Sequence, residues 1–203
     1  MISFQKRFLF VHIQRTGGNS VQSILQKYSE DKIVALRAKQ DGIERFGLVN
    51  PKYDVGKHST LAEYRAALGE EQFRGLFKFT CVRNPWERMV SDYFRPTRQP
   101  QTWDRKEFRK MVSKALAVPD FLRLEKDDAN PFGNVDYIMR FENLAEDFRQ
   151  VCARLDIDAD PLPAYNRSTR DHYSKYYDDE LRDFVRKRFA TEIEHFGYKF
   201  ENA

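Results

Sequence analysis

Arg15, Thr16, Gly17, Gly18, Asn19 and Ser20 form the stretch of the chain best suited to chemistry. Phe8-Leu9-Phe10-Val11-His12-Ile13, just before, is a nearly continuous apolar run, the pattern of a strand buried on both faces. Just after, Val21, Ile24, Leu25 and Tyr28 fall at i, i+3, i+4 and i+7, one face of a helix. A strand, a tight loop over 14–20 and a helix aim backbone N–H groups and the positive end of a helix dipole at one point, which suits a phosphate or sulfate. Gly17 and Gly18 permit positive φ and close approach of an anion, Arg15 adds a charge, and Thr16, Asn19 and Ser20 add donors. An ordinary strand–turn–helix connection would carry the same glycines. The loop also lacks the Gly-Lys-Ser/Thr of the Walker A pattern.

A second set begins at Arg83, which ends the apolar run Leu76 to Val82. Pro85 suits a first helical turn, and Trp86, Met89, Val90 and Tyr93 repeat the helical spacing, so Ser91 lies two turns into a helix. A guanidinium and a hydroxyl so placed can converge on one phosphate, with Arg83 as the bidentate fork and Arg88 nearby. A strand-end arginine and a surface serine are the plainer alternative. His58, in Gly56-Lys57-His58-Ser59-Thr60, is a base suited to neutral pH. Lys57 meets either a sulfate or solvent. Ser168 and Arg170 lie in a long polar segment, about 160–177, and are candidates for phosphate contacts as against a solvated turn. His12 reads as a packed or positioning residue, and nothing in the sequence assigns chemistry to His172 or His195.

These residues need elements to hold them. Lys32 to Leu36 and Val135 to Phe141 read as further strands, and Arg37 to Lys57 as a polar loop or lid. Ser59 or Thr60 caps a helix to about Leu68, Asp104 to about Leu116 is a basic helix, and Glu142 caps an amphipathic helix to Leu155. Asp178 to His195 closes as one helix, ended by Gly197. Alternating strands and helices predict an α/β fold: a single domain over 1–203, P-loop-like, with a central parallel sheet flanked by helices in three layers. Ligands of such sheets bind at the carboxyl ends of the strands, which puts Arg15 to Ser20 and Arg83 on one edge.

With 203 residues the chain can bury one substantial core, and a net charge of +4 fits an anionic ligand while being too weak to indicate nucleic acid. Cys81 and Cys152 lie on apolar faces as buried thiols, which suits a reducing compartment, and no metal-ligand spacing is present. No apolar run approaches the ~20 residues of a membrane span, and the first residues lack a signal-peptide pattern. The expected location is cytoplasmic, unless the sequence is a piece of a longer membrane-anchored chain.

The order HIQRTGGNS, GKHS, RNPWERMVSDYF resembles the sulfotransferases that use 3′-phosphoadenosine 5′-phosphosulfate (PAPS), closest to the carbohydrate branch with the heparan 2-O- and 6-O-enzymes and small bacterial relatives. RFENL (140–144), NRSTRDHYSKYY and FGYKF extend the likeness over nearly the whole chain. The resemblance implies that the N–H groups of Thr16, Gly17, Gly18, Asn19 and Ser20 hold the 5′-phosphosulfate, that Arg83 and Ser91 hold the 3′-phosphate, and that His58 is the base. Arg15 stands where the family usually has a lysine at the bridging oxygen, keeping the charge without the compact donor. The implied reaction is in-line transfer of a sulfuryl group to a hydroxyl, on a saccharide, without a metal. A P-loop nucleotide kinase and a non-catalytic module for sulfated or phosphorylated ligands are the rival readings. Tyr93, Phe94, Arg95, Arg98, Trp103 and the basic helix from Arg105 to Lys114 either flank an acceptor cleft or are ordinary surface.

Overall fold

The computed structural model describes residues 1–35, 46–50, 52–95, 102–163 and 170–203. Its main sheet has the order β1 (Ile2–Ser3), β2 (Phe8–Val11), β5 (Phe77–Val82), β6 (Tyr137–Arg140). β2, β5 and β6 run parallel, with Phe10 opposite Phe79 and Phe79 opposite Tyr137, and β1 is an antiparallel edge, Ile2 opposite Leu9. The apolar run of β2 is buried at every residue, as a strand covered on both faces must be. Phe8, Phe10, Phe79 and Cys81 pack against α1 (Gly18–Leu25) and α7 (Leu144–Leu155). Leu9, Val11 and Val82 face α2 (Leu61–Leu68), α3 (Glu70–Arg74) and α6 (Val118–Leu122) on the other side. The layers are therefore helix, sheet, helix, the α/β arrangement that the alternation predicts.

Two expectations fail in the first half. Lys32–Ala35 is a strand (β3), but it pairs with Phe46–Val49 (β4) in a separate antiparallel hairpin, Lys32 opposite Val49, and does not join the main sheet. β4 lies inside the polar stretch 37–57 that reads as a lid. Four residues between Gly42 and Pro51 are too short a run to outweigh those turn signals. Thr60 caps α2 with a full capping box: its hydroxyl accepts from the Glu63 N–H, and Glu63 accepts from the Thr60 N–H.

A third core joins α4 (Pro85–Tyr93), α5 (Arg105–Lys114), α8 (Asp179–Arg188) and α9 (Ala190–Phe196). The closing helix is two helices, α8 and α9, because Phe189 leaves the helical region at φ −116, ψ 28 and buries its ring. Two ion-pair sets hold this unit. Arg105 pairs with Asp178 (2.8 Å) and Glu180 (2.5 Å), and Arg109 pairs with Glu180 (2.7 Å). These exposed pairs contribute little each to stability, but they neutralise Arg105 and Arg109 of α5. Arg88 and Glu192 form a buried pair at 3.1 Å, and Arg88 also donates to the Leu116 carbonyl. Arg88 thus braces α4 against α9 and turns away from Ser91.

Candidate active site

β2 and β5 are adjacent parallel strands, so the loops that leave their carboxyl ends lie side by side. Two details shape the first loop. Gly17 has φ +86, and a Cβ there would lie 2.6 Å from Leu144 Cδ2 and 3.0 Å from Phe141 Cδ2. A Cβ on Gly18 would lie 2.1 Å from Cδ2 of the buried His12 ring. The two glycines therefore let the loop fold tightly onto its own strand and onto the β6–α7 connection. Thr16 is fully buried and its hydroxyl donates to the Ile13 carbonyl (2.8 Å), which anchors the loop to the end of its strand. Ser20 N–H returns to the Gly17 carbonyl (3.0 Å) as the first turn of α1.

Arg15 sits at φ 66, a left-handed conformation uncommon for arginine. From there its Nε and Nη2 donate to Ser91 Oγ at 3.1 and 3.0 Å. Arg83 Nη1 donates to the Arg15 carbonyl (3.1 Å) and to Ser91 Oγ (3.4 Å). Its guanidinium stacks 3.8 Å above the Phe141 ring. Arg83 Nη2 donates to Glu87 Oε1 at 2.5 Å, and Arg170 Nη2 donates to the same oxygen. Three guanidiniums and one hydroxyl thus meet where the two loops come together. Burial pulls the Arg15 guanidinium below its ordinary value, and it pulls Arg83 down to about 10 despite the opposing charge of Glu87; both stay cationic at neutral pH. Arg83 Nε and Arg170 Nε are buried with no hydrogen-bond partner. Orphaned cationic donors beside one another are the condition that a bound anion relieves.

His58 packs just past the end of β2, against His12. Its Nδ1 is 3.0 Å from the His12 carbonyl, and its ring centroid is 4.7 Å from that of His12. A carbonyl only accepts, so Nδ1 carries the proton in the neutral ring and Nε2 keeps its lone pair. Burial lowers the His58 pKa from 6.5 to about 4, partly offset by the His12 hydrogen bond, with Lys57 and Arg95 adding to the fall. Lys57 is lowered to about 8 by burial and by the charge of Arg15.

The structure therefore brings together Arg15, Arg83, Ser91 and Arg170, with the glycine loop beside them and His58 next to it. Ser168 and Arg98 lie outside the described residues, as does the 164–169 part of the long segment. Glu142 does not cap its helix. Its Oε1 accepts from the Asn84 N–H (2.7 Å) and its Oε2 from the Tyr198 hydroxyl (3.3 Å), tying the β5–α4 turn to the end of the chain. His172 caps a short 3-10 turn, and His195 stacks on Phe132 at 4.0 Å. Tyr93, Phe94 and Trp103 pack on one another and, through Phe94 and Trp103, on Tyr176. Sequence reasoning missed Glu87, Phe141 and the His12 carbonyl. Glu87 alone had a usable signal, its i+4 spacing from Arg83 across a helix start.

Among the described residues, no group of His, Cys, Asp or Glu is placed to hold a metal ion, and no helix is long and apolar enough to cross a membrane. The class that fold and site define is an α/β protein with a glycine-bearing loop and clustered guanidinium groups at its strand ends. The sequence profile of the Sulfotransferase family matches residues 1–199, and the chain belongs to that family. It is also 30% identical over 115 residues to an uncharacterised protein of Archaeoglobus fulgidus, a match spanning 55% of this chain and 93% of that protein. No solved structure matches the chain.

Proposed function

We propose that residues 1–203 form one sulfotransferase domain that moves a sulfuryl group from PAPS to a hydroxyl of a carbohydrate by in-line displacement. The observation that carries this reading is the convergence of Arg15, Arg83, Ser91 and Arg170, with two buried guanidinium N–H groups left unpaired. PAPS supplies a sulfuryl group on a stable leaving phosphate, and its 3′-phosphate distinguishes it from ATP. Arg83, Ser91 and Arg170 suit that 3′-phosphate. The loop from Thr16 to Asn19 suits the 5′-phosphosulfate, with the Ser20 N–H already bonded to the Gly17 carbonyl. Ser168 is assigned to the same donor site by its place in the sequence.

His58 Nε2 removes the acceptor proton as the new O–S bond forms. Arg15 and Lys57 offset the charge left on the bridging oxygen as the old S–O bond breaks. The low pKa of His58 belongs to the site without an anion. Burial is the main cause of that low value; a bound anion offsets the smaller contributions of Lys57 and Arg95 and raises the basicity of the ring in part. The cations fill the role that a metal has in other phosphate sites. The buried thiols of Cys81 and Cys152 suit the cytoplasm. Thermal shift tests the reading: adenosine 3′,5′-bisphosphate should stabilise the protein and Mg·ATP should not. Stabilisation by Mg·ATP alone would favour a nucleotide kinase instead.

A further inference from the structure

α4 presents Ser91 to the donor site and its opposite face to a separate cavity of about 290 Å³. Arg15 and Gln14 form one wall of this cavity, so it opens beside the guanidinium assigned above to the leaving group. Asp92 and Arg95, paired at 2.9 Å, form another wall, and both act electrostatically on His58. The cavity thus runs from Arg15 toward α5. Its volume is at the small end of ligand pockets, enough for about one ring-sized unit.

Its lining is selective. Arg105 and Arg109 of α5 are spent on Asp178 and Glu180, whereas Lys114, at the end of the same helix, lines the cavity and has no ion pair among the described residues. Arg15 and Lys114 therefore leave an excess of positive charge over the balanced Asp92–Arg95 and Arg88–Glu192 pairs. The rest of the wall is apolar: Met89, Met111 and Leu116. Leu116, 48% exposed, is the one large hydrophobic side chain exposed among the described residues. It is no frayed end, because both terminal nitrogens of Arg88 hold its carbonyl at 3.2 Å. The held backbone keeps the Leu116 side chain at the cavity wall, where it continues the apolar surface of Met89 and Met111.

We infer that the cavity between α4, α5 and the α5–α6 link is the acceptor pocket, and that it selects a hydroxyl-bearing unit with an anionic substituent and an apolar face. Lys114 takes the anion, and Met89, Met111 and Leu116 take the apolar face. This assignment rests on the sulfotransferase reading of the neighbouring site.

The test compares transfer from PAPS to a methyl glucuronide and to the corresponding methyl glucoside, which differ by one carboxylate. The wild type should prefer the glucuronide in kcat/KM by about tenfold, and Lys114→Glu should erase about tenfold of that ratio. Leu116→Ser, at an exposed position, should raise KM for both acceptors while keeping the ratio. Affinity for adenosine 3′,5′-bisphosphate, measured on each variant, checks the fold. Equal use of both acceptors by the wild type, or an unchanged ratio in Lys114→Glu, overturns the pocket. A wild type that binds the bisphosphate yet transfers to neither acceptor also overturns it. A wild type that does not bind the bisphosphate overturns the donor-site reading beneath it.

Discussion

Ser91→Ala separates a phosphate-binding hydroxyl from a structural one. Ser91 Oγ accepts from Arg15 and from Arg83, which occupies its lone pairs and leaves its single proton to be donated. Under the proposed function that acceptor is the 3′-phosphate of the ligand. A hydrogen bond to a charged group is worth about 1.5–3 kcal/mol. In the unliganded variant the Arg15 N–H groups lose their acceptor, which raises the free state and returns part of that loss, so the lower end applies. Ser91→Ala should therefore weaken adenosine 3′,5′-bisphosphate by about 1.5 kcal/mol, or roughly tenfold in Kd. Adenosine 5′-monophosphate, which has no 3′-phosphate, should lose less than about twofold. Titration calorimetry with both ligands on both proteins gives the comparison. Equal losses for the two ligands would make Ser91 a structural residue, and an unchanged bisphosphate Kd would remove it from the site.

Other consequences follow from the same geometry. His58 has a folded pKa of about 4 against 6.5 unfolded, so in the free enzyme the acid limb of kcat/KM should fall near pH 4. The sign for stability follows: the unfolded chain binds the His58 proton first, so this contribution is full above pH 6.5 and is lost as pH falls toward 4, a loss His58→Ala should lack in pH-dependent denaturation. Lys57, lowered to about 8, should take up a proton when the bisphosphate binds above that pH; calorimetry near pH 9 in two buffers of different ionisation enthalpy should show the uptake, and Lys57→Met should abolish it. Gly18→Ala puts a Cβ 2.1 Å from the buried His12 ring and should cost about 1–3 kcal/mol, lowering Tm by about 2–12 °C and weakening bisphosphate binding.

The two strand–loop–helix units were readable because their signals are local. Continuous apolar runs at Phe8–Ile13 and Leu76–Val82 are each followed by polar residues and then a helical repeat, and parallel pairing does the rest. The meeting of Arg83 and Ser91 follows from eight residues spanning a strand end and two helical turns. What stayed hidden depends on partners remote in sequence. The charge of α5 looked available until α8 supplied Asp178 and Glu180, 73 and 75 residues from Arg105. Glu142 carried the signature of a helix cap, yet Asn84 and Tyr198 claim its two oxygens. Arg88 shares a helix with Ser91 but serves Glu192, because a guanidinium at that buried position needs a carboxylate. The break at Phe189 was masked because both halves of the closing helix keep an amphipathic repeat.

Arg15 and His58 stand at the centre of the proposed sulfuryl transfer. Its most direct test is radiolabelled transfer from PAPS to a panel of hydroxyl acceptors by the wild type, Arg15→Ala and His58→Ala, with bisphosphate affinity measured on all three. The wild type should transfer label. His58→Ala should lose about 10²–10⁴-fold in kcat at near-normal bisphosphate affinity, and Arg15→Ala should lose transfer as well. Wild-type transfer that survives unchanged in either variant, or no transfer to any acceptor, would contradict it.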